Sequence, residues 1–284
     1  MSKEIEVVWM GGQRGSWCHG IVEFLTQGFA HRMDVKELQG EGAIIVIKAD
    51  WDKNPAKFCE DTAHLKWILL FVTANEEGNS NYHKSLSPNC KVWLQTPHRH
   101  QTCDRAIPWG WTPNCRVDAW PERTLDYSFA GQITHKRRWD LMEALPEVAM
   151  VNRKWEFHGS DGFAKGISQA EYYGLMARSK VIPCPSGPVT VDSFRVCEAL
   201  ELGAVPILDT WSPRGPYPEY WQRVFPRHPF ETLDNWRMFP FQLEHILRNW
   251  SMVSEVVQRY WAQWKAKQKE FLLADLKELG AVNS

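Results

Sequence analysis

The segment from Glu171 to Thr210, EYYGLMARSKVIPCPSGPVTVDSFRVCEALELGAVPILDT, alternates helical and extended patterns twice within forty residues. Glu171 to Ala177 suits a helix and Lys180 to Cys184 a short buried strand. Pro185 to Pro188 make a Pro/Gly loop, Val191 to Leu202 a second helix, and Ala204 to Leu208 a second strand. Strands separated by helices predict a mainly parallel sheet covered on both faces, an α/β fold.

The alternation extends along the chain. Glu4 to Met10 reads as a strand, followed by the loop Gly11-Gly12-Gln13-Arg14-Gly15-Ser16 and an amphipathic helix from about Trp17 to His31. Ala43 to Lys48, Leu65 to Thr73 and Cys90 to Gln95 are further strands, with a helix from Pro55 to His64 and a short strand at Ile107 to Trp111. The Pro-containing stretch Thr112 to Glu122 interrupts the pattern, which then restarts with a strand at Tyr127 to Ala130, a helix at Lys136 to Leu145 and a strand at Trp155 to His158. We therefore expect two doubly wound, Rossmann-like domains facing across a cleft. The first is residues 1–122 and the second 123–249, and 250–284 form a terminal helix able to return to the first. Within Trp250 to Leu279, the spacing of Val253, Val257, Tyr260, Trp261, Trp264, Phe271, Leu272 and Leu276 is near-helical.

With 284 residues, 44% hydrophobic and 24% charged, the chain has a globular composition and room for two domains of ordinary size. A net charge of −1 predicts no strong general attraction to nucleic acid or acidic membranes, though it leaves room for a local basic groove. The longest apolar runs are too short to span a bilayer, and Met1 is followed by no basic-then-apolar signal, so a cytoplasmic protein without a membrane span is expected. Seven cysteines without a C-x-x-C pair read as scattered thiols. Cys90, Cys103 and Cys115 flank His98 and His100, but at spacings that match no common zinc module.

Chemistry concentrates where the Pro/Gly loop opens the second helix of the forty-residue segment. The free N–H groups and positive dipole end of such a helix favour an anion. Arg195 and Glu198, three apart, share one face; the first can neutralise a phosphate while the second accepts hydrogen bonds from hydroxyls, a combination that suits a sugar nucleotide. The alternative is an exposed ion pair. Asp192 and Ser193 are expected to cap this helix, with Ser193 also in reach of a phosphate. Val196, Ala199, Leu200 and Gly203 form its packing side. His135, Lys136, Arg137 and Arg138 open another helix just after Gly131, where a cation cluster makes sense around an anion.

CPSGPVTVDSFRVCEALELGAVPIL resembles the donor-site motif of inverting glycosyltransferases of the exostosin type, which have the two-domain GT-B fold. SFAGQITHKRRWDLMEAL is similar to the strand, glycine turn and basic helix start that open their C-terminal domain. A more distant similarity is to bacteriophage DNA-base glucosyltransferases, which carry an Arg-x-x-Glu pair on this helix, as Arg195 and Glu198 do. The resemblance implies a nucleotide sugar, such as a UDP-sugar, bound by Ser186, Gly187, Asp192, Ser193 and Arg195 with Arg137 or Arg138 near the diphosphate. It further implies Glu198 on the ribose hydroxyls and His158 toward the base.

An inverting transfer needs a carboxylate or histidine to take the acceptor's proton. Glu76 ranks first, then Glu77 and Asp52, with Asp50 and His19 also eligible; all but His19 follow predicted strands of the first half. Gly12, Arg14 and Ser16 of the glycine loop, with His98 and Arg99 after the fourth strand, are the acceptor-side candidates. The loop is not a G-x-G-x-x-G fingerprint, which weighs against a dinucleotide-dependent dehydrogenase. Asp50-Trp51-Asp52 has the letters of a D-x-D, yet arginines and helix dipoles can neutralise the diphosphate, so no metal or other cofactor is expected. The expected activity is hexosyl or pentosyl transfer to a glycan. A hydroxymethylated base in phage DNA is the rival acceptor, and a non-catalytic sugar-nucleotide or carbohydrate-binding protein and an epimerase are the rival classes.

Overall fold

A computed structural model describes residues 5–10, 14–38, 40–49, 55–78, 89–149, 153–162 and 165–282. The chain divides into two compact units: Met1–Pro113 with Trp264–Ser284, and Asn114–Gln263.

The first unit is built on β1 (Glu6–Trp9), α1 (Gly20–Leu25), β2 (Ala30–Arg32), β3 (Gly42–Lys48), α2 (Pro55–Thr62), β4 (Trp67–Thr73), β5 (Cys90–Gln95) and β6 (Arg105–Ile107). Its six strands run in the order β2-β1-β3-β4-β5-β6, every neighbouring pair parallel. β3 and β4 are buried along their whole length, which is why they read as unbroken apolar runs rather than alternating ones. Two expected elements differ. The helix expected to reach His31 ends at Leu25; Gly28 then adopts φ +98°, and the chain turns into the short edge strand β2. The strand expected at Ile107 to Trp111 lies earlier, because Pro108 has no N–H to give a ladder and Gly110 takes φ +76°.

The second unit contains β7 (Leu125–Gln132), α3 (Lys136–Ala149), β8 (Trp155–Ser160), α4 (Gln169–Arg178), β9 (Ser179–Cys184), α5 (Phe194–Glu201) and β10 (Val205–Asp209). A small antiparallel ribbon follows, β11 (Trp211–Ser212) with β12 (Gly215–Pro216), then α6 (Tyr220–Val224), β13 (Glu231–Leu233) and α7 (Phe239–Arg248). The sheet order is β13-β10-β9-β7-β8, again with parallel neighbours. Both sheets are thus doubly wound. In each, the strand order reverses beside the first strand, between β1 and β3 and between β7 and β9. Ligands of open α/β sheets bind beyond the carboxyl ends of strands at such a reversal.

The last helix, α8 (Trp250–Glu278), supplies Val257 and Trp261 to the second unit and Trp264, Leu272 and Leu276 to the first, all buried. In the first unit its buried Asp275 accepts from Trp93 Nε1 (2.9 Å) and from Arg105 (3.3 Å). No helix among the described residues is long and apolar enough to cross a membrane.

Candidate functional site

In the second unit, polar groups gather at the switch between β7 and β9. The helix expected from Val191 begins only at Phe194, because the Asp192 carbonyl accepts from Gly187 N (3.3 Å) and Thr190 Oγ1 (3.2 Å) and holds Val191 to Ser193 in the loop. Ser193 occupies the N-cap position of α5 but does not cap the helix by its side chain. Its hydroxyl is buried without a partner among the described residues, and Asp192 Oδ2 accepts from Tyr220 Oη at 2.6 Å. The first turn of α5 therefore keeps its N–H groups uncapped by Ser193, the state in which they attract an anion.

Arg195 and Glu198 are both buried, which removes the alternative of an exposed pair. The Arg195 guanidinium lies 4.5 Å from the Phe129 ring centre, donates from Nη2 to the Ala130 carbonyl, and keeps Nε buried without a partner among the described residues. This approach requires a glycine next door: a Cβ on Gly131 would stand 2.7 Å from Arg195 Nη2. Glu198 accepts from Tyr172 Oη (3.0 Å) and Tyr173 Oη (3.4 Å). Burial raises its pKa to about 7, against the lowering effect of those hydroxyls and of Arg195.

Ser186 is fully buried; its N–H donates to Asp209 Oδ2 (3.2 Å), while its Oγ has no partner among the described residues. Gly187 is buried beside it. The two arginines that open α3 separate in role. Arg137 is committed to Asp209, at 2.7 Å from Nη2, and contacts Asp140 at 3.4 Å. Arg138 is buried and donates from Nη1 to the Gln132 carbonyl (2.8 Å) at the end of β7. His158 lies one strand over, in register with Ala130, half-exposed with Nε2 3.4 Å from Glu156.

In the first unit, the ends of β4 and β5 carry two non-glycine residues in the left-handed region, Ala74 (φ +53°) and Thr96 (φ +47°). Such backbone is costly, most of all for a β-branched residue, and persists where surrounding contacts enforce it. Here the enforcement is a buried amide network. Gln95 accepts from Ala74 N (2.8 Å) and donates to the carbonyls of Cys18 (3.0 Å) and Trp109 (2.6 Å). Asn75 donates to Thr96 O (3.2 Å) and Gln101 Oε1 (2.7 Å). The network displays Glu76, half-buried, whose carbonyl accepts from His98 Nε2 (2.8 Å). Glu77 and Arg99 are exposed next to it. Ser16, at the end of the glycine loop, accepts from the buried Lys48 Nζ at 2.8 Å, and Arg14 is exposed. His19 is buried, 4.8 Å from Trp9 between ring centres and 3.4 Å from Thr73 Oγ1. Gly12, Asp50 and Asp52 lie outside the described residues.

Several participants carry no local signal. Tyr172 and Tyr173 are ordinary helix residues in the sequence, and Asp209 is an acid ending an apolar strand; the tyrosines meet Glu198 26 and 25 positions away, and Asp209 meets Arg137 72 positions away. For Asp209, its place at a strand's carboxyl end was a cue.

No protein-family model matches the chain, and no curated protein matches it. Solved structures do. The T4 phage β-glucosyltransferase shares 12% identity and a TM-score of 0.49 over 98% of this chain and 99% of that one. An O-GlcNAc transferase mutant from Thermobaculum terrenum shares 9% identity and a TM-score of 0.51 over 99% of this chain and 67% of that one. The second likeness shows the fold alone: two Rossmann-like α/β units, the fold class called GT-B.

Proposed function

We propose that the chain is an inverting glycosyltransferase that moves a sugar from a nucleoside diphosphate onto an acceptor hydroxyl, and that the second unit binds the donor. One observation carries this reading. At the β7/β9 switch, Arg195 Nε, Ser193 Oγ and Ser186 Oγ are buried without partners among the described residues, around the start of α5. Leaving a buried polar group unmatched costs about 1–3 kcal/mol, so three in one place point to a polar ligand that completes them.

The chemistry follows from the residues present. The acceptor oxygen attacks the anomeric carbon as the bond to the diphosphate oxygen breaks, and a base takes the acceptor's proton. Charge then builds on the departing diphosphate. Arg195, Arg138 and the N–H groups of α5 are fixed before the reaction and stabilise that charge without reorganising. Arg137 takes no part in this account, because its guanidinium is engaged by Asp209. Glu198, held between two tyrosines, accepts from the ribose diol. Glu76, on the strained shelf of the first unit, is the base in this reading. The motif resemblance to exostosin-type enzymes supports a saccharide as the acceptor.

A thermal-shift panel of UDP, GDP, ADP, CMP and their common sugar conjugates tests the donor site. A ligand at a hundredfold excess over its dissociation constant stabilises the folded state by about 2.7 kcal/mol. One nucleotide should shift the protein selectively, and Arg195→Ala should abolish the shift. Glu76→Gln should keep the shift and lose transfer. If no nucleotide shifts the wild type at millimolar concentration, the donor-site reading fails.

A further inference from the structure

His135 stands at the junction of β7 and α3, where its carbonyl accepts from Arg138 N (3.0 Å) and Trp139 N (3.2 Å) and starts the helix. Both of its ring nitrogens are buried, and neither makes a hydrogen bond of good geometry among the described residues, the Ser186 backbone approaching the ring only loosely. A neutral imidazole has one donor and one acceptor to satisfy. Leaving both unmade inside a protein is uncommon and calls for a cause. The neighbouring loop after β9 brings Ser186 to the ring, and Ser186 Oγ is likewise buried and unmatched.

Among the described residues, the charged groups at this end of the sheet include Arg137 and Arg138 of α3, Asp209 ending β10, Asp192 before α5, and Arg195 and Glu198 within it. Lys136 is exposed and turned to Asp140 at 2.5 Å. Burial lowers the His135 pKa to about 4; Arg138 and then Arg137 add to the effect, and the Ser186 backbone opposes it. The ring is therefore neutral at ordinary pH, first because it is buried and further because Arg138 and Arg137 flank it. A diphosphate arriving beside Arg138 and Arg195 offsets those cations and gives a charged ring an anionic acceptor, which works against the cost of burial.

We propose that His135 contacts the diphosphate of the bound nucleotide sugar and does so as an imidazolium, so that donor binding takes up a proton from solvent. The inference rests on the donor-site reading above. One proton passes from water or buffer to a ring nitrogen on binding and returns when the nucleotide leaves. His135 thereby adds a cation to the site only while an anion is present.

Calorimetric titration with UDP-glucose, UDP-N-acetylglucosamine, GDP-mannose and ADP-glucose tests this, from about pH 8 to about pH 5.5 in buffers of different ionisation enthalpy. Their diphosphate diesters hold a constant charge over that range. Glu198 titrates nearby and would release a proton on ionising to accept ribose hydroxyls, so the readout is the difference between wild type and His135 variants. His135→Asn keeps an N–H donor and suits a helix start; His135→Gln is the second variant. Relative to both, wild-type affinity should rise as pH falls, by up to about tenfold per pH unit, with extra proton uptake from the buffer. If wild type and variants bind with the same pH dependence and the same proton uptake, the proposal is overturned while the donor site stands. If none of the four sugars binds, both fall together.

Discussion

Asp209 Oδ1 lies 2.7 Å from Arg137 Nη2 and Asp209 Oδ2 lies 3.1 Å from Arg137 Nε, a forked ion pair on a carboxylate with no exposure. The same carboxylate accepts from Ser186 N (3.2 Å), Trp211 N (3.0 Å) and Trp236 Nε1 (2.9 Å). It ties the end of β10 to the start of α3 and to the loop after β9, the three places that frame the candidate donor site. Removing one member of a buried pair strands the other's charge, at about 3–5 kcal/mol. Asp209→Asn should therefore lower the thermal midpoint of the second unit strongly and weaken nucleotide binding. A midpoint within a degree or two of wild type would show that Arg137 finds another partner at little cost.

Gly131→Ala separates binding from folding. The added Cβ meets only the tip of a flexible guanidinium, at 2.7 Å, so Arg195 can move aside. With the backbone at φ +152° the strain should be about 1–3 kcal/mol. The donor site should suffer separately, with a loss of at least about tenfold in nucleotide affinity, equivalent to about 1.4 kcal/mol. Unchanged affinity in a folded variant would mean that the position of Arg195 is immaterial.

Glu198 gives a pH prediction with a defined sign. Its folded pKa, about 7, exceeds its ordinary value of 4.5 because burial disfavours the charged form. The native state thus holds more protons than the unfolded one between those values, and stability from this group is fully present below about pH 4.5 and lost as pH rises through about 7. Glu198→Gln removes the titration. Its melting temperature relative to wild type should climb between pH 5 and pH 8, by an amount equivalent to roughly 1–3 kcal/mol. His135 works in the opposite direction, losing stability as pH falls from about 6.5 toward about 4, so the difference between variant and wild type is the quantity to read. A constant difference would place Glu198 in a better-solvated setting.

Ala74 offers a test of the strained shelf in the first unit. An alanine-to-glycine change ordinarily costs about 0.5–1 kcal/mol, but a left-handed alanine carries about 1–2 kcal/mol of its own strain. Ala74→Gly should therefore leave the melting temperature unchanged or raised, and Ala74→Val should lower it clearly. A loss of stability in Ala74→Gly would show that this φ is not a strained one.

Much of this architecture is legible in the residues because local physics writes it there. Buried parallel strands must be apolar on both faces, so Trp67–Thr73 and Gly42–Lys48 announce themselves. The Pro/Gly loop before Phe194 marks the start of a helix after a strand, where fold topology puts ligands. Short edge pieces such as Ala30–Arg32 give no such signal, since three residues half-open to water need no particular pattern.

By itself the sequence determined the alternation of strand and helix, the parallel sheets and the loop–helix junction that carries Arg195 and Glu198. Those features depend on spacing over a few residues. Only the tertiary structure decided how the side chains there are employed: Arg137 bound to Asp209, Glu198 between two tyrosines, the Ser193 and Ser186 hydroxyls unmatched among the described residues, His135 buried and neutral. Their partners arrive from strands and loops tens of residues away, and burial, which sets their charge, is a property of the packed whole.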